Sequence, residues 1–388
     1  MNNTYLEINL DTLKNNVKSI IKIYNNYDYY FGVVKSDAYG HGSYIVNSLI
    51  EGGINYLAVS YLDEAIEVRK YNKDIPLLCF VPIDLNDLEK AIENNITITI
   101  TSYNYLLDLI KKLKQNIKVH IKLDCGMNRL GFKNKNEVTK TYKDIVNNKH
   151  IKLEGIYTHL SSVGVHESGY DDQVKRFKEL TKDIDLNKVP IVHITSSSNL
   201  VAHEKIKWTN GVRLGSIMYG YNPTIRTNNH GIINKLRNLR NKYMQKKLKL
   251  SKIITDVDLD IKPAIKMYTN IIQIKDVKKG EQVGYGLSYK AKEYMKIAII
   301  PVGYNNGIGF GISSHYVMIN DKKYYSVGQT SMNMMAIKVD SKVNIDDKVY
   351  IINEKITPKM VANMTNKLTI EILLMAGHSN KKIYINDK

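Results

Sequence analysis

Eight short runs of apolar and β-branched residues recur through the first two thirds of the chain, at 30–35, 56–60, 76–80, 96–101, 119–123, 153–158, 191–195 and 212–214. Most are separated by segments with helical spacing, such as Leu106, Leu107, Ile110 and Leu113. Strands that alternate with helices predict parallel βαβ units. Eight such units in about 220 residues predict a (β/α)8 TIM barrel. Beyond Lys262 the texture changes: runs at 267–274, 280–283, 295–301, 316–319 and 348–352 follow closely, with Gly, Asn and Asp between them. Asp321-Lys322-Lys323 reads as a hairpin tip, and a single helix is expected near 359–364. The expected plan is a barrel over 11–255 and a mainly β C-terminal domain over 256–388, with 1–10 contributing a strand to the β domain. A length of 388 residues suits two domains.

The formal charge of +18 invites a nucleic-acid reading. However, Lys, Asn, Ile and Tyr are used heavily along the whole chain, and no RNA-binding or helix-turn-helix signature accompanies them, so no nucleic-acid partner is expected. Residues 226–252 contain no Asp or Glu, and Ile232, Ile233, Leu236, Leu239 and Tyr243 have helical spacing. We read a basic amphipathic surface helix, with a partner or an anionic surface as the alternative. The two cysteines, Cys79 and Cys125, form neither a disulfide framework nor a metal set, which fits a reducing cytosol. The N-terminus does not read as a signal peptide, and no apolar run approaches the ~20 residues that span a bilayer. A cytoplasmic protein without a membrane partner or metal is expected.

A TIM barrel places its active site at the C-terminal ends of its strands. Lys35 closes the first strand after Phe31-Gly32-Val33-Val34. A lysine drawn toward apolar surroundings loses hydration, so its pKa falls and its amine becomes nucleophilic, as a Schiff base with an aldehyde cofactor requires. A lysine snorkelling at a strand end gives the same pattern. Ser196-Ser197-Ser198 and Gly215-Ser216 suit a phosphate cradle. Arg213 suits a carboxylate or a ring nitrogen, or a structural ion pair. His159 and His193 are catalytic candidates or hydrogen-bonded scaffold residues.

The run Val33-Val34-Lys35-Ser36-Asp37-Ala38-Tyr39-Gly40-His41-Gly42 resembles the pyridoxal 5'-phosphate (PLP) attachment motif of alanine racemases. Leu123-Asp124-Cys125-Gly126-Met127-Asn128-Arg129-Leu130-Gly131 resembles the family's substrate-arginine motif. Gly155-Ile156-Tyr157-Thr158-His159, the stretch from Val212 to Gly220, Gly284-Tyr285-Gly286 and Pro301-Val302-Gly303-Tyr304 are also similar, in colinear order. The resemblance implies a homodimer in which the partner's β domain completes each active site. It implies that Lys35 carries PLP and is the base on one substrate face, with Tyr285 of the other subunit as the base on the opposite face. Tyr39 and Ser197, with the backbone of Gly215 and Ser216, would bind the phosphate. Arg213 would meet the pyridine nitrogen, with His159 also at the cofactor. Arg129 and Met332 would orient the substrate carboxylate. Lys122 matches a position that is carbamylated in some members.

The implied activity is racemisation of L- and D-alanine, supplying D-alanine as a peptidoglycan precursor. Several positions depart from the pattern. Gln329 replaces an arginine, Asn333 an aspartate, Ser196 an asparagine, and Gly164 an acidic residue. His378 falls where a tyrosine often touches the phosphate, and Asn305-Asn306 falls where Asp-Gly is common. A neutral rim on the access corridor suits serine or a broader substrate range. A barrel-type PLP decarboxylase and a non-catalytic PLP carrier are the more distant readings. The arginine expected at the ring nitrogen argues against the decarboxylase. The long β domain argues against the carrier.

Overall fold

The computed structural model describes residues 4–161, 167–223, 239, 243, 257–311 and 313–387. The chain divides into two compact units, one of residues 14–35 and 46–262, the other of residues 1–13, 36–45 and 263–388. Apart from Leu239 and Tyr243, the basic segment 226–252 lies outside the described residues, as does Gly164.

Strands are numbered in chain order from β1 (Tyr5–Asn9). The first unit is a barrel of β2 (Tyr29–Val33), β3 (Tyr56–Val59), β4 (Leu77–Cys79), β5 (Ile98–Ile100), β6 (Ile117–Lys122), β7 (Ile151–Tyr157), β8 (Ile191–Ser196) and β9 (Gly211–Leu214). Each pairs in parallel with its neighbours in the order β4-β3-β2-β9-β8-β7-β6-β5. The ends of this order meet at a lone parallel bridge between Leu78 and Thr97, where Cys79 N donates to Thr97 O and Thr97 N to Leu77 O. The sheet is therefore closed, as the alternation of strands and helices predicts.

The outer helices form for local reasons. Helix Tyr103–Lys112 begins where Ser102 Oγ accepts from Tyr105 N, buries Leu106 and Leu109, and ends on Lys111 and Lys112, which favour the negative end of the helix dipole. Its buried face differs from the sequence reading, because Leu107 is exposed. Inside the barrel, Phe31, Tyr56, Ala58, Leu78, Tyr157 and Ile191 form one core cluster. Each fully buried large side chain contributes about 1.5–3 kcal/mol.

The second unit is built on β10 (Ile265–Asn270), β11 (Gln273–Val277), β12 (Gln282–Val283), β13 (Tyr289–Lys290), β14 (Met295–Ile300), β15 (Tyr316–Ile319), β16 (Lys322–Tyr325), β17 (Met335–Val339), β18 (Lys348–Ile352) and β19 (Lys381–Ile385). Strand β1 sits between β10, antiparallel, and β19, parallel, in a sheet ordered β16-β15-β18-β10-β1-β19. Leu6 and Ile8 alternate inward with period two. The apolar run 267–274 is not one strand: β10 and β11 belong to different sheets, and the chain changes sheet across Ile271 and Ile272. The hairpin tip is Asn320-Asp321, both at positive φ, with Lys322 already paired to Ile319. That two-residue tip has the left-handed geometry favoured by strand twist.

Two helices, not one, lie between β18 and β19: Pro358–Thr365 and Thr369–Ser379, with the left-handed Asn366 ending the first. The second opens on the β-branched Thr369 and Ile370, which obscure a helix from sequence alone. Among the described residues, no helix is long and apolar enough to cross a membrane.

Candidate active site

Lys35 follows the C-terminal end of β2, where Val34 N donates to Ala58 O on β3. Burial, then the positive charge of Arg129, pulls its ammonium below the ordinary lysine range, against the opposing effect of Glu64. Lys35 therefore loses its proton more readily than a surface lysine.

The four residues after Lys35 turn with the wrong hand. Ser36, Asp37, Ala38 and Tyr39 all have φ between 51° and 55°, a conformation that costs L-residues about 1–2 kcal/mol each. Contacts within the β unit hold the turn. Asp37 pairs with Lys382 Nζ at 2.8 Å and accepts from Ser43 N at 3.1 Å. Gly40 and Gly377 press together so closely that a Cβ on Gly377 would lie 2.1 Å from Gly40 O. Burial raises the Tyr39 phenol to about 12, so it remains an O–H donor.

Arg213, on β9, is buried in the barrel. Its Nη1 donates to His193 Nδ1 (2.9 Å) and His193 O (2.8 Å), and its Nη2 donates to Thr158 O (2.8 Å) and Ile194 O (3.1 Å), with His159 Nδ1 at 3.4 Å. Among the described residues no hydrogen bond uses Nε. Burial lowers Arg213 only to about 10, so it remains cationic near neutrality. Burial first, and then Arg213, pushes His159 and His193 well below the usual histidine range. Burial thus favours the neutral imidazole at both.

Two short helices begin side by side at the ends of β8 and β9. Helix Ser197–Ala202 starts after Ser196, and the 3-10 turn Ser216–Tyr219 starts after Gly215. Gly215 N donates to Ser197 Oγ at 2.8 Å, linking the two starts. The Gly215 N–H is thus engaged with Ser197. Asn199 accepts from Ser196 through Oδ1, while its buried Nδ2 has no partner among the described residues. Helix starts with spare N–H groups attract anions, and an orphaned buried amide is costly unless a ligand satisfies it.

At the end of β6, Lys122 is almost fully buried. Burial and then Arg213 and Arg129 lower its ammonium to about 7. The next loop folds back on Asp124, which accepts from the N–H groups of Gly126, Asn128 and Arg129, each at 3.0 Å. Burial works against the Asp124 carboxylate, but these three donors hold it below its usual pKa. Arg129 itself is exposed.

The β unit carries the other expected residues on its surface. Tyr285 (66% exposed) sits in a 3-10 turn between Gly284 and Gly286, both at positive φ. Met332 is also exposed, and its carbonyl accepts from Asn305 N at 3.0 Å. His378 lies exposed on helix Thr369–Ser379. Sequence reasoning missed His120 and Glu154, which join the Arg213 network from the middle of the barrel; two polar residues interrupting apolar strands were the available signal.

A lysine with a depressed pKa, a buried arginine and an anion cradle on one barrel rim, in a chain that also carries a β unit, mark an amino-acid racemase. Residues 8–223 match the family described as Alanine racemase, N-terminal domain, and residues 264–384 match Alanine racemase, C-terminal domain. The chain belongs to the alanine racemase family. It is 31% identical over 393 residues to an alanine racemase of Borreliella burgdorferi, covering 98% of this chain and 95% of that one. It is 30% identical over 395 residues to one of Methanococcus maripaludis, covering 98% of each. The crystal structure of alanine racemase from E. faecalis superposes with a TM-score of 0.86 at 25% identity, covering 99% of this chain and 98% of that chain. A histidine racemase from Leuconostoc mesenteroides shares the fold, with a TM-score of 0.84 at 21% identity, covering 99% of this chain and 98% of that chain.

Proposed function

We propose that this protein is a PLP-dependent alanine racemase that works as a homodimer with two bases, Lys35 and the Tyr285 of a second copy. The observation that carries the reading is the barrel rim, where an amine with a lowered pKa, a cationic arginine whose Nε makes no hydrogen bond among the described residues, and two linked helix starts fit the aldehyde, ring nitrogen and phosphate of PLP. Lys35 would carry the cofactor, and Tyr39, Ser197 and Ser216 would hold its phosphate, with the Gly215 N–H orienting the Ser197 hydroxyl toward it. Arg213 would donate to its ring nitrogen, with His159 and His378 at its margins. Bound PLP supplies the electron sink that makes the substrate Cα proton removable.

The remaining work belongs to side chains. Arg129 holds the substrate carboxylate, assisted by Met332 of the second copy. Lys35 takes or returns the Cα proton on one face and Tyr285 on the other, which makes the reaction reversible in both directions. Arg213 is already cationic, so it disfavours a proton on the ring nitrogen and restrains side reactions. The β unit leaves Tyr285, Leu287, Met332 and Met334 each more than half exposed, which supports completion of the site by a partner subunit. The same reading assigns D-alanine production in the cytoplasm, for peptidoglycan.

One observation favours wider substrate use. Asn305 Nδ2 donates to Asn333 Oδ1 at 3.4 Å, an amide pair at positions where the family commonly carries acids. A neutral rim suits serine or longer amino acids, and one methylene is discriminated by only about 1–3 kcal/mol.

The test is racemisation of Ala, Ser, His, Lys, Arg and Glu from both enantiomers by the PLP-loaded protein, with borohydride trapping of the cofactor. Fast alanine turnover, with the cofactor trapped on Lys35 and both lost in Lys35→Ala, is expected. Faster serine or basic-residue turnover reassigns the substrate. A trapped cofactor without racemisation refutes the racemase reading and leaves a carrier or a decarboxylase.

A further inference from the structure

The interiors of TIM barrels are filled mostly by branched apolar side chains. Here a polar column runs from Arg213 through His193 and His120 to Glu154, and the chemistry above uses only its first member. His120 Nδ1 lies 3.0 Å from His193 Nε2, and His120 Nε2 faces Glu154 Oε2 at 3.5 Å. Glu154 also accepts from Tyr56 Oη at 2.5 Å and Thr97 Oγ1 at 2.9 Å.

Donor and acceptor roles along the column are fixed. A guanidinium has five donors and no acceptor, so His193 Nδ1 accepts from Arg213. The His193 proton therefore sits on Nε2 and is donated to His120 Nδ1. The His120 proton then sits on Nε2, 3.5 Å from the Glu154 carboxylate, a charge contact without hydrogen-bond geometry among the described residues. Each imidazole turns its lone pair toward the cation and its N–H toward the anion, the favourable sense at both ends. Any reversal would set two N–H groups against each other.

The surroundings hold this arrangement. The His193 ring is stacked between Phe31 (4.5 Å between centroids) and Tyr157 (4.6 Å). Two glycines leave room for the rings. A Cβ on Gly155 would lie 2.5 Å from His120 Cε1, and one on Gly211 would lie 2.9 Å from His193 Cβ. Among the described residues, Arg213 has no direct carboxylate partner; its acceptors are carbonyls and imidazoles. A buried cation without a counter-charge is costly, and Glu154 is the carboxylate joined to it through this column.

We propose that Glu154 is the remote counter-anion of Arg213, a positioning residue that acts through His120 and His193 to fix the guanidinium Nη groups and leave Nε–H as the donor to the cofactor ring nitrogen. The last clause rests on the proposed function; the imidazole states do not.

The test is 15N NMR of the full-length protein labelled at histidine, without cofactor and with 15N-labelled PLP. Signals are assigned through His120→Asn and His193→Asn. In the unmodified chain, His120 and His193 are both expected as neutral Nε2–H tautomers. Glu154→Gln keeps an acceptor for Tyr56 and Thr97 but removes the charge. It is expected to shift the His193 Nδ1 and cofactor ring-nitrogen signals and to lower kcat about tenfold, the scale of a weakened hydrogen bond to a charged group, while KM stays nearly constant. Tyr56→Phe keeps the carboxylate and is expected to leave both signals in place.

An Nδ1–H tautomer at either histidine overturns the proposal. So do unmoved signals in Glu154→Gln, or equal shifts in Tyr56→Phe. Failure to bind PLP would refute the function while the cofactor-free spectra still test the column.

Discussion

Gly155→Ala reverses the usual sign of a glycine substitution. Gly155 does not have a positive φ, and at such a site alanine normally stabilises by about 0.4–1 kcal/mol by restricting the unfolded chain. Here the new methyl would meet His120 Cε1 at 2.5 Å, His120 Nδ1 at 2.6 Å and Ile191 O at 2.9 Å. Carbon atoms pack best at about 3.5–4.0 Å, so the ring must retreat by about 1 Å. Its Nδ1 is held by His193, and Ile191 O belongs to the backbone of β8, which pairs with Gly155. Overpacking costs about 1–3 kcal/mol, and weakening a buried hydrogen bond costs about 1 kcal/mol more. The expected loss is about 2–4 kcal/mol. In a unit of this size each kcal/mol moves Tm by about 2–4 °C, so the barrel transition should fall by about 4–16 °C. Calorimetry should use cofactor-free protein at one fixed concentration, because PLP and self-association raise apparent stability by mass action. In a His120→Ala background the cost of Gly155→Ala should shrink markedly. An unchanged or raised Tm, or a cost independent of His120, would refute the placement of the ring.

Tyr285→Phe should leave thermal stability nearly unchanged, because the side chain is exposed, and should lower racemisation by about 10²–10⁴-fold. The loss should be accompanied by a solvent isotope effect that differs between the two reaction directions. Asp124→Ala removes the acceptor that gathers three backbone N–H groups under Arg129. It should raise KM by about tenfold with a smaller change in kcat, read by steady-state kinetics. Lys122→Met tests the buried amine through the pH dependence of stability. Lys122 titrates near 7 when folded, against an ordinary 10.5. Below pH 7 it is charged in both states and the burial cost is felt in full. As pH rises from about 7 to 10.5, the unfolded chain retains the proton longer, so Lys122 makes stability rise with pH. Denaturant titrations should show Lys122→Met gaining most at or below pH 7, with the difference closing toward pH 10.5.

The barrel was legible because each strand is a short apolar run between amphipathic helices, and the rim residues followed from the strand ends. Other features need three-dimensional information. Lys35-Ser36-Asp37-Ala38-Tyr39 contains no glycine, so nothing local announces four left-handed residues; their hand is imposed by partners such as Lys382. His120 and Glu154 meet because β6 and β7 pair with a register shift between Val119 and His120, which sets His120 opposite Gly155. Spacing along the chain does not disclose that shift. The helix Thr369–Ser379 was hidden by β-branched residues at its start, whose weak local preference is outweighed by the burial of Ile372, Leu373 and Ala376.

The left-handed turn also bears on the order of events during synthesis. Asp37 finds its ionic partner 345 positions later, in Lys382, and Gly40 finds its packing partner in Gly377. A ribosome exposes the segment after Lys35 long before either partner is made. Until they arrive, that segment has no reason to hold a conformation costing several kcal/mol, and it relaxes to the ordinary hand. The left-handed form of residues 36–39 therefore waits for the last helix and strand. If Lys35 carries PLP as proposed, the segment that follows it would be finished only then, so late truncations would be expected to disturb a turn more than 300 residues earlier in the chain.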